Sequence, residues 1–142
     1  MIILDTNVLS ELIRPLPDQH VVTWVSEQPA VTLFTTTITQ AEILYGVRLL
    51  PSGKRREHLQ EAVEAMFAMD LENRILAFDS IAATEYAEIA ASRRRAGRPI
   101  SQFDAQIAAI ARRHDATLAT RNHADFEGCG IAVVNPWSAE PA

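Results

Sequence analysis

The chain begins MIILDTNVLSE, an apolar run that stops abruptly at an acid. Met1 to Leu4 show no polar alternation, so they suit a parallel strand covered on both faces better than an edge strand with one wet side. Asp5 then stands at a strand's carboxyl end, where open α/β sheets bind their ligands, and Thr6 and Asn7 add a hydroxyl and an amide at the turn. The simpler alternative is that Asp5, Thr6 or Asn7 only caps the helix that follows. Other parts of the chain have to decide between the two.

A strand hidden on both faces needs helices above and below it, and the remaining sequence supplies them. A helix from about Asn7 to Ile13 stops before Pro15, and a second, capped by Asp18, carries Val21, Trp24 and Val25 and ends at Pro29. Val31 to Thr36 are β-branched and aromatic and predict strand two, followed by a helix from Gln40 to Leu49 behind Thr39. The turn Pro51-Ser52-Gly53 leads into a helix from about Lys54 to Met69, which makes a helical hairpin with the one before it. Ile75 to Phe78 predict strand three, and Asp79 caps a long helix that Gly97 and Pro99 close after Ala96. Ser101 opens a helix to His114, strand four is Thr117 to Thr120, a short turn covers His123 to Phe126, and strand five is Ile131 to Val134. Strands separated by helices imply an α/β fold with a parallel sheet. The 142 residues fit a single domain, 1–142, with room for a real core. The apolar faces around Leu9, Trp24, Leu44 and Leu49 suit either core or interface.

Composition narrows the function. A net charge of −5 is the wrong sign for gripping nucleic acid by general electrostatics, so any such partner has to be met locally. The dense basic run Arg93, Arg94, Arg95 and Arg98 closes a predicted helix, where arginines suit either the negative end of the helix dipole or an RNA phosphate contact. One lysine, Lys54, excludes most lysine chemistry, and Gly53-Lys54 lacks the flanking residues of a phosphate-binding loop. A single cysteine, Cys129, excludes an internal disulfide and suits a reducing compartment as a small buried hydrophobe. The apolar start is too short for a signal peptide and no stretch approaches a membrane span, so a cytoplasmic protein is expected.

Chemistry enters when the acids are placed on this map. Glu42 falls in the first turn of the helix after strand two, beside that strand's carboxyl end. Asp104 falls in the first turn of the helix before strand four; that helix must run antiparallel to its strand, so its amino end lies on the same rim. Asp125 follows strand four by a few residues. Capping explains each acid alone, since Thr39-x-x-Glu42 and Ser101-x-x-Asp104 read as capping boxes and Asn122-x-x-Asp125 imitates one. Capping does not require Asp5, Glu42, Asp104 and Asp125 to gather on one rim, where repulsion raises carboxylate pKa values. A divalent cation removes that conflict. All-oxygen ligands select Mg2+ or Mn2+, and such a site suits activation of water against a phosphodiester. His20, His58, His114 and His123 lack zinc-site spacing, and Asp79 reads as a helix cap.

The segments LDTNVLSEL, TTTITQAEILYGV, GRPISQFDAQIAAIARRH, LATRNHADFEG and VVNPW resemble PIN-domain ribonucleases, especially VapC-type toxins of the FitB-like branch. The resemblance covers nearly the whole chain. It implies a three-layer α/β/α sandwich with a five-stranded sheet ordered 3-2-1-4-5, and a Mg2+-dependent endoribonuclease. It makes Asp5, Glu42, Asp104 and Asp125 the acidic metal site, with Thr6, Asn7, Thr120 and Asn122 as supporting polar groups. Many PIN domains carry an acid where this chain has Asn122. A homodimer and a VapB-like antitoxin are further implied, the antitoxin's tail filling the acidic groove and setting an arginine among the carboxylates. At the level of the family a transfer RNA or ribosomal RNA loop is the expected kind of substrate, and Phe34, Tyr45 and Phe103 are the few aromatic groups on which bases could stack. Two other readings stay open: a receiver-like phosphoacceptor domain, which wants a lysine beside its acids, and an interaction module that keeps the acids as caps.

Overall fold

The computed structural model of the chain describes residues 1–139. Five strands, β1 (Ile2–Leu4), β2 (Leu33–Thr36), β3 (Ile75–Leu76), β4 (Thr117–Ala119) and β5 (Ala132–Val134), form an all-parallel sheet ordered β3-β2-β1-β4-β5. Strand β1 is central, with Ile3 opposite Phe34 on one side and Leu118 on the other. Its neighbours alternate between two cores. Ile3 and Leu118 face one, and Leu4 and Ala119 face the other, the period-two alternation expected of a strand.

The helices are α1 (Thr6–Leu12), α2 (Gln19–Glu27), α3 (Thr37–Arg48), α4 (Lys54–Ala65), α5 (Ser80–Arg95) and α6 (Gln102–Arg113). Residues of α5 and α6 make up most of the core around Ile3, whereas α1 to α4 cover the face around Leu4. Both faces of the sheet are thereby closed, as a wholly apolar central strand requires. Chain order runs outward from β1 to β3 on one side and from β4 to β5 on the other. A crevice therefore opens beyond the carboxyl ends of β1 and β4, where the strand order reverses.

Local chemistry set several boundaries otherwise than the sequence predicts. Strand β2 starts at Leu33, because Ala30–Thr32 wind into a 3-10 turn that leaves Val31 77% exposed. Helix α3 starts at Thr37 with Thr36, not Thr39, as its cap, the Thr36 hydroxyl accepting from the Thr39 N–H at 3.1 Å. Helix α4 passes at Met66–Asp70 into a π-turn, and β3 stops at Leu76. Asp79 and Ser101 do cap α5 and α6, accepting from the N–H groups of Ala82 and Asp104. Leu9 is core, Trp24 and Leu44 are half-buried against it, and Leu49 is exposed. Cys129 is buried. Among the described residues no helix is long and apolar enough to cross a membrane.

Candidate active site

Asp5 is buried, and both of its carboxylate oxygens are spoken for. Oδ1 accepts from the Thr6 N–H at 2.8 Å, so the capping reading holds as far as it goes. Oδ2 accepts from the Thr120 hydroxyl at 2.7 Å and, more distantly, from the Asn7 amide at 3.4 Å. Thr120 leaves β4 as Asp5 leaves β1, so the switch point of the sheet brings them together. Asn7 spans the same gap: its amide donates to Thr120 Oγ1 at 3.1 Å and its carbonyl accepts from the Arg121 N–H at 3.2 Å. The Asn122 N–H donates to Thr120 Oγ1 at 3.1 Å, whereas the Asn122 side chain makes no cap bond.

Glu42 reaches this corner from α3, one turn further into its helix than the supposed Thr39 capping box would have it. The ionised Glu42 carboxylate accepts from the Thr6 hydroxyl at 3.1 Å; that hydroxyl has one proton, so at 3.0 Å Thr39 donates to Thr6. Thr39 is thus a member of the network that carries Glu42, a role its reading as a cap concealed. Asp104 sits half-buried in the first turn of α6, and Asp125 is exposed in the 3-10 turn His123–Phe126.

Electrostatics tie the four acids together. Burial pushes the Asp5 carboxyl above its usual range, the hydrogen bonds from Thr120 and Thr6 oppose this, and the charges of Asp104 and Asp125 push it further up. Glu42 is raised by burial, lowered by Thr6, and raised again by Asp5 and Asp104. Asp104 is raised by burial, held down by Ser101, raised by Asp125 and lowered by the charge of Arg93. Among the described residues no Arg, Lys or His forms an ion pair with any of the four. The acids are not drawn into a ready cage either: among the described residues no group of three His, Cys, Asp or Glu side chains is already arranged to hold a metal ion. The donor set, oxygens only and negative, fits a hard divalent cation and no soft one.

The basic run divides. Arg94 and Arg95 are exposed, and Arg98 pairs with Glu127 at 2.9 Å. Arg93 corrects the expectation of an RNA contact, because it is buried and its guanidinium is engaged with backbone carbonyls. Beside Thr6 and Glu42 a cavity of about 680 Å³ opens between α1, α3 and α4, lined by Ile13, Val47 and Leu59 and edged by Arg55.

Comparison with known proteins places the fold in a family. The chain is 41% identical to "VapC ribonuclease Y4jK" of Sinorhizobium fredii over all of both chains, and 40% identical to "Toxin FitB" of Neisseria gonorrhoeae over 96% of this chain and 99% of that one. It superposes with a TM-score of 0.93, at 40% identity and 99% coverage of each chain, on a structure of FitAB bound to a DNA fragment. The model of the PIN domain matches residues 2–128, from β1 through the turn that carries Asp125, and the chain belongs to the PIN domain family.

Proposed function

We propose that this protein is a Mg2+-dependent endoribonuclease, with Mn2+ able to substitute, and the toxin of a VapBC-like toxin-antitoxin pair. The observation that carries the reading is that Asp5, Glu42, Asp104 and Asp125 stand around the switch point of the sheet, feel one another's charges, and among the described residues form no ion pair. Relatives named a VapC ribonuclease and a toxin, at 41% and 40% identity over nearly the whole chain, support it.

The chain's own residues have three tasks in this reaction. Asp5, Glu42, Asp104 and Asp125 would hold the cation, which when bound would supply charge to make water nucleophilic and to steady the departing oxygen. Thr120, Asn7 and Thr6 fix the Asp5 carboxylate by three hydrogen bonds, so that its oxygens do not turn when the site is loaded. Thr39 and Thr6 do the same for Glu42. The acids also repel an RNA backbone until the cation is present, which makes metal a condition of substrate binding.

The partner follows from the same resemblance. The solved FitAB complex supports a cognate antitoxin for this chain, and an arginine from its tail would meet the acids that lack one here. A homodimer is part of the same proposal, and the exposed Tyr45 on α3 and Leu49 at its C-cap, one turn apart, are surface suited to it. A receiver-like domain is disfavoured because no lysine is among the charges felt by Asp5, Glu42 or Asp104.

The test is cleavage of RNA by the purified chain free of any partner. Cutting with Mg2+ or Mn2+, its loss in EDTA and its loss in Asp5→Asn are expected. A chain that binds neither ion and cuts no RNA would return it to the class of interaction modules.

A further inference from the structure

Arg93 is a charge driven into the interior, and helical spacing puts it there. Ala82, Tyr86, Ile89 and Arg93 recur along α5 at intervals of four, three and four, so they share the stripe that faces the sheet. A buried guanidinium is costly unless its donors are used. Here backbone carbonyls use them: Nε donates to Arg98 O at 2.7 Å, and Nη1 donates to Asp125 O at 2.8 Å and Glu127 O at 2.9 Å. The Cys129 sulfur lies at 3.6 Å from the same nitrogen.

Those carbonyls belong to two segments far apart in sequence. One is the connection from α5 to α6. Gly97, with φ of 72°, lets the helix end fold back, the Gly97 N–H donating to Arg94 O at 3.1 Å and the Arg98 N–H to Arg93 O at 2.9 Å. That turn lays the Arg98 carbonyl over the Arg93 side chain. The other segment is the loop after β4. The ion pair of Arg98 with Glu127 joins the same two segments on the outside, where solvent weakens it. The first segment runs into Ser101 and Asp104, and the second carries Asp125. Arg93 takes Asp125 by its backbone carbonyl, so the carboxylate stays free.

We propose that Arg93 is a positioning residue of the acidic site: by fastening these two segments together it sets the separation of Asp104 and Asp125, and with it the site's affinity for a divalent cation. The role rests on the metal-dependent reading of the site. A lysine keeps the charge but has no rigid fork with which to serve three carbonyls from two directions.

Arg93→Lys and Arg93→Met test this, with Ile89→Val as a control that loosens the same buried stripe and leaves the clamp alone. Three quantities are measured: amide hydrogen exchange in metal-free protein, Mn2+ binding by calorimetry, and RNA cleavage as a function of Mn2+ concentration. Faster exchange confined to residues 97–101 and 122–130, the two clamped segments, is expected in both Arg93 variants. Their Kd for Mn2+ should rise about 10- to 100-fold, as when a group that orients a ligand is lost. Cleavage should need correspondingly more Mn2+ while the maximal rate at saturation stays near that of wild type. Arg93→Lys keeps the test open if Arg93→Met does not fold. Wild-type exchange and wild-type Mn2+ affinity in a folded Arg93 variant would overturn the role, as would an equal change in Ile89→Val. A wild-type protein that binds no Mn2+ overturns the metal reading and the positioning role together, whereas wild-type binding matched by the Arg93 variants overturns the positioning role alone.

Discussion

The Thr120 hydroxyl donates to Asp5 Oδ2 at 2.7 Å, joining residues 115 positions apart across the switch point of the sheet. That one hydroxyl also accepts from the Asn7 amide and the Asn122 N–H, which uses its full capacity of one proton and two lone pairs. Thr120 is wholly buried, so water cannot replace any of the three. Thr120→Val keeps the shape and removes all three bonds. The expected cost is about 1–3 kcal/mol of stability, because the buried carboxylate loses one of its donors and the Asn122 N–H loses its acceptor. Thr120→Ser should cost much less. Denaturant unfolding of both variants checks this, and equal stability in Thr120→Val would mean that the network is incidental.

Asp104 gives a cleaner separation of chemistry from folding. Its carboxyl is raised by burial and by Asp125 more than Ser101 and the charge of Arg93 lower it, so its charge is a burden on the metal-free fold, and Ser101 rather than Asp104 caps α6. Asp104→Asn should therefore leave the fold intact and the metal-free protein no less stable. Activity should fall at least about a hundredfold, the upper end of what losing even a supporting group costs a metal site. Circular dichroism and cleavage measured on one preparation decide the matter. Full activity in the folded variant would remove Asp104 from the site.

Much of this site can be read from the residues, and the exceptions have local causes. Asp5 is legible because Met1 to Leu4 are apolar without alternation, which leaves the acid nowhere but a strand end. Asp79 and Ser101 are legible as caps because each is followed three residues on by an N–H that needs an acceptor. The run TTTITQ is not, since Thr35, Thr36, Thr37 and Thr39 are all plausible caps. Tertiary contacts choose among them: the Thr35 hydroxyl is taken by Leu4 O at 2.8 Å and Thr39 by Thr6. Val31 has the strand propensity of its neighbours and still lies outside β2, because nothing local announces the 3-10 turn before it. Arg93 was within reach, as the spacing from Ala82 through Ile89 points it inward. Its membership of a basic run hid that signal.

The shifted acids make stability depend on pH in an unusual sense. The Asp5, Glu42 and Asp104 pKa values are raised above the usual 3.8 for Asp and 4.5 for Glu. The folded state therefore holds these protons more tightly than the unfolded chain. Their contribution is fully present below the usual values and is lost as pH rises through the raised ones. Asp79 and Glu127 are lowered, by Ala82 and Arg98 respectively, and act in the opposite sense, but they lie at the surface, where solvent screens them. The difference in melting temperature between wild type and Asp5→Asn isolates the site. Without metal, wild type should lose ground to Asp5→Asn as pH rises from about 4 towards neutrality. Added Mg2+ or Mn2+ should reverse the order, by about 2.7 kcal/mol at a hundred times Kd. A difference that is flat with pH, or an equal metal effect in both proteins, contradicts the assignment.

The ends of the cleaved RNA distinguish two chemistries. A ribonuclease with a histidine acid and base can activate the RNA's own 2'-hydroxyl, which leaves a cyclic phosphate and needs no metal. In this chain the hydrogen bonds of the acidic cluster run between Asp5, Thr6, Asn7, Thr39, Glu42 and Thr120, with no histidine among them. His114 is neighbour to Arg113 and Asp79, at the far end of α6 from Asp104, and His123 acts on the exposed Glu127. With no imidazole pair at the acids, water is the nucleophile that the site can serve, and a 2'-hydroxyl is not needed for the attack. The expected products are a 5'-phosphate and a 3'-hydroxyl, formed with Mg2+ or Mn2+ and suppressed by EDTA. A substrate with 2'-O-methyl at the cut site should still be cleaved where it fits. Ligation assays and mass spectrometry of a short RNA read these ends directly. Cyclic phosphate ends, or cutting undiminished in EDTA, would take the reaction away from Asp5, Glu42, Asp104 and Asp125.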